Sequence, residues 1–423
     1  MELNPQSLAG PCPCGQEHRI SAHDILLEPA ALEKLPRLLA APFYRGWEHP
    51  VVVCDENTYE AAGRRVCTLL PQARPVVLPA ENLHADERGV ARLIERLPGG
   101  CGGLLAVGSG TIHDITRFVG AQKSIPFISV PTAASVDGFV SSVAAMTWGG
   151  YKKTFPSVPP VAVVADSAVI ARAPERLTRA GMGDLLGKYI ALTDWKIARL
   201  VTGEYFCERI CRMEEQAVET VLRLGTGCPF GDTAACEKLM YGLLLSGFAM
   251  QMTGNSRPAS GAEHHCSHLW EMEILSPHTD ALHGEKVGVG TLLTARAYHA
   301  AETKLRGGAF SLPPYSGPGE EWEELARLAG PARLPGFESE NTPDPLAAVD
   351  AGRLENSVPA IARLLRAVPE EHTLQTFLQA AGAKCTLEDI GLAESLREPT
   401  LRFSPYVRRR LTFMRLLKRF RFA

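Results

Sequence analysis

Three short segments of the sequence contain residue types that bind divalent metals. Asp184 lies in Gly-Met-Gly-Asp-Leu-Leu-Gly-Lys, His264 in Ser-Gly-Ala-Glu-His-His-Cys-Ser-His, and His283 in Leu-His-Gly-Glu-Lys. One carboxylate and two imidazoles form a three-ligand set that leaves a coordination position open for a substrate oxygen. An open position is typical of a catalytic metal rather than a structural one. The three segments therefore predict a metal site that polarises a substrate oxygen.

Two further side chains in these segments are candidates for acting beside the metal. His268 follows His264 by four residues, so the two imidazoles share one face of a helix, whereas His265 points elsewhere. Lys188 follows Asp184 by one turn and can bring positive charge to an anionic substrate. For each of these residues taken alone, a satisfied hydrogen bond or a helix cap is the plain structural alternative.

The first half of the chain alternates short apolar runs with helical stretches. Strands are predicted over 50–54, 75–78, 104–107, 126–130 and 161–165, and helices over 60–70, over 87–97 and after residue 114. This alternation indicates a mostly parallel, doubly wound sheet that binds ligands at the carboxyl ends of its strands. Residues 151–154, Tyr-Lys-Lys-Thr, are predicted to form a basic turn.

Glycine and polar residues gather where these predicted strands end. Asp55 follows the first strand and can accept hydrogen bonds from ribose hydroxyls while repelling a 2′-phosphate, which favours NAD over NADP. Gly108 and Gly110 let the backbone approach a pyrophosphate, and the following helix directs its N-terminal amides at that charge. His113 stands where the dinucleotide fingerprint has its third glycine, so a plain strand-to-helix turn is the alternative.

The segment from Thr132 to Ser141 is rich in hydroxyl groups and contains Asp137. Its hydroxyls and amides can hold a nicotinamide ribose and a pyrophosphate, and Asp137 can bind substrate hydroxyls. The alternative is that Ser135 and Asp137 cap the next helix, because both residue types favour the N-cap position. One loop can serve both purposes.

Helical periodicity replaces the strand signals after residue 173. Helices are predicted over 185–201, 206–224, 234–252 and 287–305. We therefore predict an α/β nucleotide-binding domain over 1–170 and an all-α metal- and substrate-binding domain over 171–423. Residues 307–345 are rich in Gly and Pro, which predicts a surface excursion with a short acidic helix around 320–328.

Composition restricts the classes of partner. A net charge of −3 and a pI near 6.5 give no electrostatic case for nucleic acid or an anionic membrane, so a small-molecule ligand is expected. The N-terminal residues lack the pattern of a signal peptide, and no apolar run is long enough to span a bilayer, which predicts a cytoplasmic protein without stable membrane insertion. Most of the eleven cysteines are therefore expected to be buried thiols.

Two segments remain open to a further role. Cys12, Cys14 and His18 form the one tight cluster of thiols and imidazole, but Cys-x-Cys is not the usual spacing of structural zinc sites, which favours a simple turn over a metal. The basic C-terminal stretch over 408–421 is interleaved with apolar residues. It is predicted to form a docked amphipathic helix with a solvated basic face, and binding to a membrane surface is the alternative.

At the candidate metal, cofactor and substrate residues, the sequence resembles the glycerol-1-phosphate dehydrogenases. These belong to the wider group of glycerol dehydrogenase, iron-dependent alcohol dehydrogenases and dehydroquinate synthase. The likeness covers about residues 15–300 and is most specific at 131–138, 183–188, 260–264 and 283–285. It implies a dehydroquinate synthase-like fold, in which an α/β domain that binds NAD or NADP precedes a helical domain. It also implies NAD(P) contacts by Gly110, Thr111, Ile112, His113, Asp114, Thr132, Ala133, Ala134, Ser135 and Ser141, with Asp55 near the adenosine ribose.

The resemblance implies that Asp184, His264 and His283 bind the metal and that Asp137, Asp184 and His268 contact the substrate. Departures from the relatives matter at three positions. Lys188 stands where iron-dependent alcohol dehydrogenases typically have a further histidine, which favours three ligands. Asp184 replaces the glutamate expected of dehydroquinate synthases, which argues against a lyase. His265 with His268 also satisfies the His-x-x-His of glycerol dehydrogenases, so the ligand is His264 or its neighbour.

Cys12, Cys14 and Gly15 match the opening Cys-x-Cys-Gly of many bacterial members of the glycerol-1-phosphate group.

The activity implied is reversible hydride transfer between NAD(P)H and dihydroxyacetone phosphate, giving sn-glycerol 1-phosphate. One divalent metal, Zn²⁺, Ni²⁺ or Fe²⁺, is expected to polarise the carbonyl. His268 or a bound water is the expected proton donor, and Lys188 and Lys153 are candidates for charge near the phosphate. A homo-oligomer, dimer or larger, is expected. The competing interpretations are a glycerol or other polyol dehydrogenase and a non-catalytic protein that binds NAD and metal.

Overall fold

The computed structural model describes residues 4–224 and 230–422. Contacts between residues divide the described chain into two compact units. The first comprises the described residues up to 148 together with 152–185 and 219–256, and the second comprises 149–151, 186–218 and the described residues from 257 onward. The predicted boundary near residue 170 stays a prediction.

The first unit contains a six-stranded parallel sheet. In chain order the strands are β1 (Gly10–Pro11), β2 (Glu17–His18), β3 (Asp24–Glu28), β4 (Val51–Asp55), β5 (Arg74–Leu78), β6 (Leu104–Gly108), β7 (Phe127–Pro131), β8 (Val143–Trp148), β9 (Tyr151–Pro156), β10 (Ala162–Asp166), β11 (Phe310–Ser311) and β12 (Arg421–Phe422). The sheet order is β3-β10-β7-β6-β4-β5, and every neighbouring pair is parallel. The other strands form the pairs β1-β2, β8-β9 and β11-β12.

Alternate residues of the sheet face two separate cores. Val52 and Leu105 belong to one core, and Val51 and Leu104 belong to the other. Burial on both faces explains why the strands read as continuous apolar runs in the sequence. The five predicted strands are confirmed. The edge strand β3 was not predicted, because its residues are only partly buried, and residues 151–154 begin strand β9 rather than the predicted basic turn.

The order of the strands places the switch point of the sheet between β4 and β6. Strand β5 lies on one side of β4 and β6 on the other, so the carboxyl ends of β4 and β6 flank a crevice of the kind that binds ligands in doubly wound sheets. Gly108 is paired in register with Pro131. The Thr132 N–H donates to the Gly108 carbonyl at 3.1 Å, which brings the loop after β7 to the same edge.

Helices cover the sheet and make up most of the chain after residue 174. In chain order they are α1 (Pro5–Leu8), α2 (Leu35–Leu39), α3 (Glu56–Thr58), α4 (Arg64–Leu69), α5 (Glu87–Arg96), α6 (Gly110–Lys123), α7 (Ser167–Ile170), α8 (Glu175–Leu186), α9 (Lys188–Thr202), α10 (Glu208–Leu222), α11 (Thr233–Thr253), α12 (Ala262–Glu271), α13 (His283–Arg306), α14 (Glu320–Asn341), α15 (Ala351–Ala367), α16 (Glu371–Ala380), α17 (Arg397–Phe403) and α18 (Phe413–Leu416). A π-helical turn, Tyr59–Gly63, joins α3 to α4. Helix α6 begins five residues earlier than the sequence predicts, and α13 begins four residues earlier.

Helix α13 is central to the second unit and packs against α12, α15 and α16. The core around it includes Ile190, Leu292, Tyr298 and Phe413. Apart from the two-residue strands β11 and β12, the described part of the chain beyond α8 is helical or irregular. These observations confirm the predicted fold class, an α/β sheet region followed by a mostly helical C-terminal region. No helix in the described ranges is both long and apolar enough to cross a bilayer.

The Gly/Pro-rich segment over 307–345 was predicted to be a surface excursion, but it contains a long helix that is partly buried. Helix α14 runs well past the predicted end at residue 328 and breaks at Gly330, whose φ of 64° suits a residue without Cβ. Leu325, Ala329 and Phe337 are buried in a cluster with Phe403. The helix therefore docks by its apolar side.

The prediction of a solvated basic face at the C-terminus is wrong. Arg415 is fully buried, bonds Asp344 at 2.8 Å and the carbonyl of Pro405 at 3.0 Å, and lies over the ring of Tyr406. Arg419 is also buried and donates to the carbonyl of Val349 at 2.9 Å. The planar guanidinium fork satisfies internal acceptors that no sequence pattern displays.

Candidate metal and cofactor sites

Three histidines of the second unit form a cluster. His264 and His268 lie on α12, and His283 is the first residue of α13. The ring centroid of His283 lies 5.3 Å from that of His264 and 5.8 Å from that of His268, and the centroids of His264 and His268 are 6.0 Å apart. The one-turn spacing on α12 therefore presents both imidazoles to the N-terminus of α13.

A carboxylate orients each of the two expected metal ligands in this cluster. The Nδ1 atom of His264 lies 2.6 Å from Glu263 Oε1, and the Nδ1 atom of His283 lies 2.7 Å from Glu271 Oε1. A carboxylate that accepts from Nδ1–H fixes the tautomer and leaves the Nε2 lone pair available to a metal. This donor chemistry fits a divalent metal. Neither glutamate was predicted from the sequence, although each is within three residues of a candidate histidine on the same helix.

The two carboxylates are themselves held in place. Glu263 Oε1 also accepts the N–H of Gly261 at 2.8 Å, at the start of α12. Glu271 Oε1 accepts the hydroxyl of Ser267 at 3.3 Å. His268, Glu271 and His283 also offer ligand atoms within 4.8 Å of one another. Because the same Glu271 oxygen already bonds His283 Nδ1, we assign this carboxylate to positioning rather than to coordination.

The Glu271→Gln variant is expected to bind a divalent metal about 10- to 100-fold more weakly than the wild type, because the amide no longer fixes the His283 tautomer. Titration with Zn²⁺ against a competing chelator measures the change. Glu273→Gln is the matched control, since Glu273 bonds the exposed His278 at 2.8 Å in the same segment. Equal affinity of the Glu271→Gln variant and the wild type would contradict the positioning role.

His265, the alternative ligand left open by the sequence, occupies a different environment. Its side chain is fully buried, and burial followed by the charges of Arg410, Arg408 and Arg257 holds its pKa well below the usual range. Within the described ranges, ring contacts join His264 and not His265 to His268 and His283. This geometry favours His264 as the ligand.

In the first unit, the structure brings Asp184 together with Asp137. Asp184 on α8 is fully buried, and its Oδ2 accepts the backbone N–H of Asp137 at 3.0 Å. Asp137 Oδ2 in turn accepts the hydroxyl of Ser246 at 2.8 Å. Asp137 makes no side-chain cap to the short helix that follows it, so the capping alternative is wrong for this residue. Lys188, the first residue of α9 in the second unit, is fully buried as well.

The expected cofactor residues lie at the carboxyl edge of the sheet. Thr132, Ala133, Ala134, Ser135 and Ser141 are all buried. Arg117 from α6, which the sequence analysis missed, supports the later part of this loop by donating to the carbonyls of Gly138, Ser141 and Val143. Asp55 caps α3 by accepting the N–H of Thr58 at 2.8 Å.

His113 has a structural role at the position of the missing third glycine. Its Nε2 lies 2.8 Å from Ser129 Oγ and its Nδ1 lies 3.0 Å from the carbonyl of Ser109. Burial, followed by the charge of Arg117, lowers its pKa to about 3, so the imidazole stays neutral. The side chain therefore ties α6 to β7, and only its backbone remains a candidate for cofactor contact.

The Gly181→Ala variant is expected to be destabilised by about 1–3 kcal/mol, because an added methyl group would overpack the loop that contains Ala134. A Cβ at Gly181 would lie 2.1 Å from the carbonyl oxygen of Ala134. Urea unfolding measures the change. Gly138→Ala in the same loop is the control, since a Cβ there meets nothing within 4 Å. Equal losses in both variants would refute close packing at Gly181.

Comparisons with known proteins agree with this architecture. Residues 26–174 match the iron-containing alcohol dehydrogenase family. The chain is 34% identical over 406 residues to glycerol-1-phosphate dehydrogenase (NAD(P)+) of Geobacillus stearothermophilus, covering 94% of this chain and 92% of the relative. It is also 34% identical over 406 residues to the enzyme of that name from Bacillus velezensis, covering 94% and 91%.

Solved structures show the same fold at lower identity. NADH-dependent butanol dehydrogenase A of Thermotoga maritima superposes with a TM-score of 0.58 and 15% identity, covering 94% of this chain and 92% of that one. Glycerol dehydrogenase of Schizosaccharomyces pombe superposes with a TM-score of 0.53 and 20% identity, covering 87% and 94%. These structural likenesses support the fold. The 34% sequence identity to the two curated relatives, over nearly the whole length of the chain, supports membership of their family. The chain belongs to the glycerol-1-phosphate dehydrogenase family.

Proposed function

We propose that this protein catalyses the reversible reduction of dihydroxyacetone phosphate to sn-glycerol 1-phosphate with NADH or NADPH. The observation that carries the proposal is the imidazole cluster, in which Glu263 and Glu271 orient His264 and His283, in a chain of this family. Imidazoles that donate Nδ1–H to a carboxylate are suited to hold a Lewis-acidic metal through Nε2. Polarisation of the carbonyl by such a metal favours hydride transfer to a ketone.

The proposed metal ligands are Asp184, His264 and His283. A divalent metal bound there, Zn²⁺, Ni²⁺ or Fe²⁺, supplies electrophilic activation of the substrate carbonyl. His268 is the proposed proton donor to the product oxygen, because its imidazole adjoins those of the two histidine ligands.

The remaining proposed contacts bind the substrate and the cofactor. Asp137 accepts a hydrogen bond from a substrate hydroxyl, and Lys188 supplies positive charge for the phosphate. The N-terminal amides of α6 face the pyrophosphate, and Asp55 accepts from the adenosine ribose, which favours NAD. The cofactor contributes the hydride, while these residues contribute position and charge.

The deciding experiment follows NADH oxidation by the full chain, supplied with Zn²⁺ or Ni²⁺, with dihydroxyacetone phosphate and dihydroxyacetone in parallel. We expect turnover with the phosphorylated ketone and chiral analysis that identifies sn-glycerol 1-phosphate. Faster turnover of the unphosphorylated ketone would favour a polyol dehydrogenase instead. NADH binding without oxidation of either ketone would favour a non-catalytic protein that binds NAD and metal.

The proposal extends to the location and the oligomeric state of the protein. We propose a cytoplasmic location, which is consistent with substrates that are small polar molecules. We also propose a homo-oligomer, dimer or larger, and light scattering of the purified chain is the measurement that tests it.

A further inference from the structure

The N-terminal hairpin gathers three metal-binding side chains that the proposed reaction does not use. Strands β1 and β2 flank a tight turn, in which Cys12 N–H donates to the Gln16 carbonyl and Gly15 N–H donates to the Cys12 carbonyl, each at 3.0 Å. Cys12, Cys14 and His18 offer ligand atoms that all lie within 4.8 Å of one another. The turn expected from the sequence is therefore present, and it converges two thiols on one imidazole.

The imidazole of His18 is set in the orientation that a metal ligand needs. It is 1% exposed, and its Nδ1 lies 3.0 Å from the backbone carbonyl of Met252. A carbonyl accepts only, so Nδ1 carries the proton and Nε2 presents its lone pair. Nε2 lies 3.4 Å from Cys14 Sγ. Two ligand atoms on one tetrahedral Zn²⁺ are about 3.5 Å apart when one is sulphur and the other nitrogen.

We propose that Cys12, Cys14 and His18 bind a structural Zn²⁺, in addition to the metal of the proposed active site. Two thiolates and an imidazole suit Zn²⁺ better than hard cations such as Mg²⁺. Binding displaces the two thiol protons to solvent, and no electron is transferred. A further thiolate or a water fills the fourth position of the tetrahedron.

The alternative without metal is a hydrogen-bonded turn. In that case a Cys14 S–H···Nε2 hydrogen bond would account for the contact with His18, and the turn itself would account for the position of Cys12. Neither cysteine is in a disulfide in the structure. A metal is favoured over the turn alone because two thiols and the Nε2 lone pair, which the bond to Met252 leaves unprotonated, lie within reach of one ion.

The proposed Zn²⁺ would fasten the hairpin to the end of helix α11. The Met252 carbonyl that binds His18 belongs to the last turn of α11, where carbonyls lack helical partners. Close by, Ser21 N–H donates to Gln251 Oε1 at 3.0 Å. The metal therefore would order residues 10–21 against a helix of the first unit, as structural zinc sites do in short segments with little core of their own.

The test measures metal content and sulphur ligation in the full chain purified with Zn²⁺. We expect about two Zn²⁺ per chain in the wild type, and zinc X-ray absorption with sulphur in the first shell. The proposed active-site ligands contain no sulphur, so this signature is specific to the hairpin. Co²⁺ substitution should give thiolate-to-cobalt charge-transfer absorption in the wild type, which keeps the proposal testable if a variant fails to fold.

Variants separate this site from the proposed active site. Cys12→Ser with Cys14→Ser should lose one Zn²⁺ and all sulphur ligation while keeping the other metal, whereas Asp184→Asn should do the reverse. Cys101→Ser, a half-buried free cysteine outside the cluster, is the matched control and should retain both metals. A wild type with only nitrogen and oxygen around its zinc, or a Cys12–Cys14 disulfide by mass spectrometry, would overturn the proposal whether or not the enzyme is active.

Discussion

The His283→Ala variant is expected to lose about a thousandfold in kcat/KM for dihydroxyacetone phosphate and to purify without its active-site metal. The metal supplies several kcal/mol of charge stabilisation to the transition state, and each 1.4 kcal/mol is about tenfold in rate. His283 is the first residue of α13 and is held by Glu271, so alanine at this position removes one of the three proposed ligands. Steady-state kinetics and metal analysis measure the two effects together.

The control for this prediction is His278→Ala. His278 is exposed, bonds the carboxylate of Glu273 and lies five residues before His283. It should leave both kcat/KM and metal content unchanged. A His283→Ala protein that folds, keeps its metal and retains ordinary turnover would refute the proposed ligand set. Asp184→Asn provides a second variant from the first unit, with the same expected loss.

The sheet was predictable because its physical signature is local. Strands buried on both faces, such as β6 and β7, are continuous apolar runs, and Gly108 and Gly110 mark the turn at the carboxyl end of β6. Strand β3 gave no such signal, because an edge strand pairs on one side only and its residues are partly exposed. Lys152 and Lys153 obscured strand β9 in the sequence, and its two-stranded pair tolerates both lysines because each is only partly buried.

The candidate site was predictable only at the level of individual ligands. Histidine spacing on α12 can be read from the sequence, because helical periodicity fixes which residues share a face. The hydrogen-bond partners of those ligands cannot be read from the sequence. Glu271 reaches His283 across the turn between two helices, and Arg117 reaches three carbonyls of a loop more than twenty residues away. The burial of Arg415 and Arg419 could not be predicted for the same reason, since their acceptors, which are backbone carbonyls and the Asp344 carboxylate, are brought close only by folding.

A second large effect is expected at Asp194, which links α12, the helix of the proposed ligand His264, to the core of the second unit. Asp194 on α9 is fully buried. Its Oδ2 accepts the N–H of Ala262, the first residue of α12, at 2.8 Å, while its Oδ1 accepts the N–H of Phe413 at 2.7 Å and the hydroxyl of Tyr298. One carboxylate therefore satisfies donors from three separate segments.

The Asp194→Ala variant is expected to lose about 3–5 kcal/mol of unfolding free energy, because three buried donors lose their acceptor at once. Asp350→Ala is the matched control. Asp350 is exposed and caps α15 in the same unit, so its removal should cost only about 1 kcal/mol. Urea unfolding of both variants measures the difference. Similar losses in the two variants would refute the linking role of Asp194.

The pH dependence of stability gives an independent check on the same carboxylate. Burial raises the pKa of Asp194 from 3.8 to about 7, although the hydrogen bonds from Phe413 and Tyr298 lower it. Between these values the folded state holds a proton that the unfolded chain has released. The stability contributed by protonated Asp194 is therefore complete below about pH 4 and is lost as pH rises toward 7, with a slope approaching about 1.4 kcal/mol per pH unit.

Asp194→Asn removes this titration without removing the side chain's shape. Comparing its unfolding free energy with that of the wild type from pH 5 to 8 isolates the contribution of the one proton. We expect the wild type to lose stability relative to the variant as pH rises toward 7, and the difference to level off above it. Parallel pH profiles would mean that the three donors outweigh burial and keep Asp194 ionised throughout, so that its hold on α12 rests on a permanent charge.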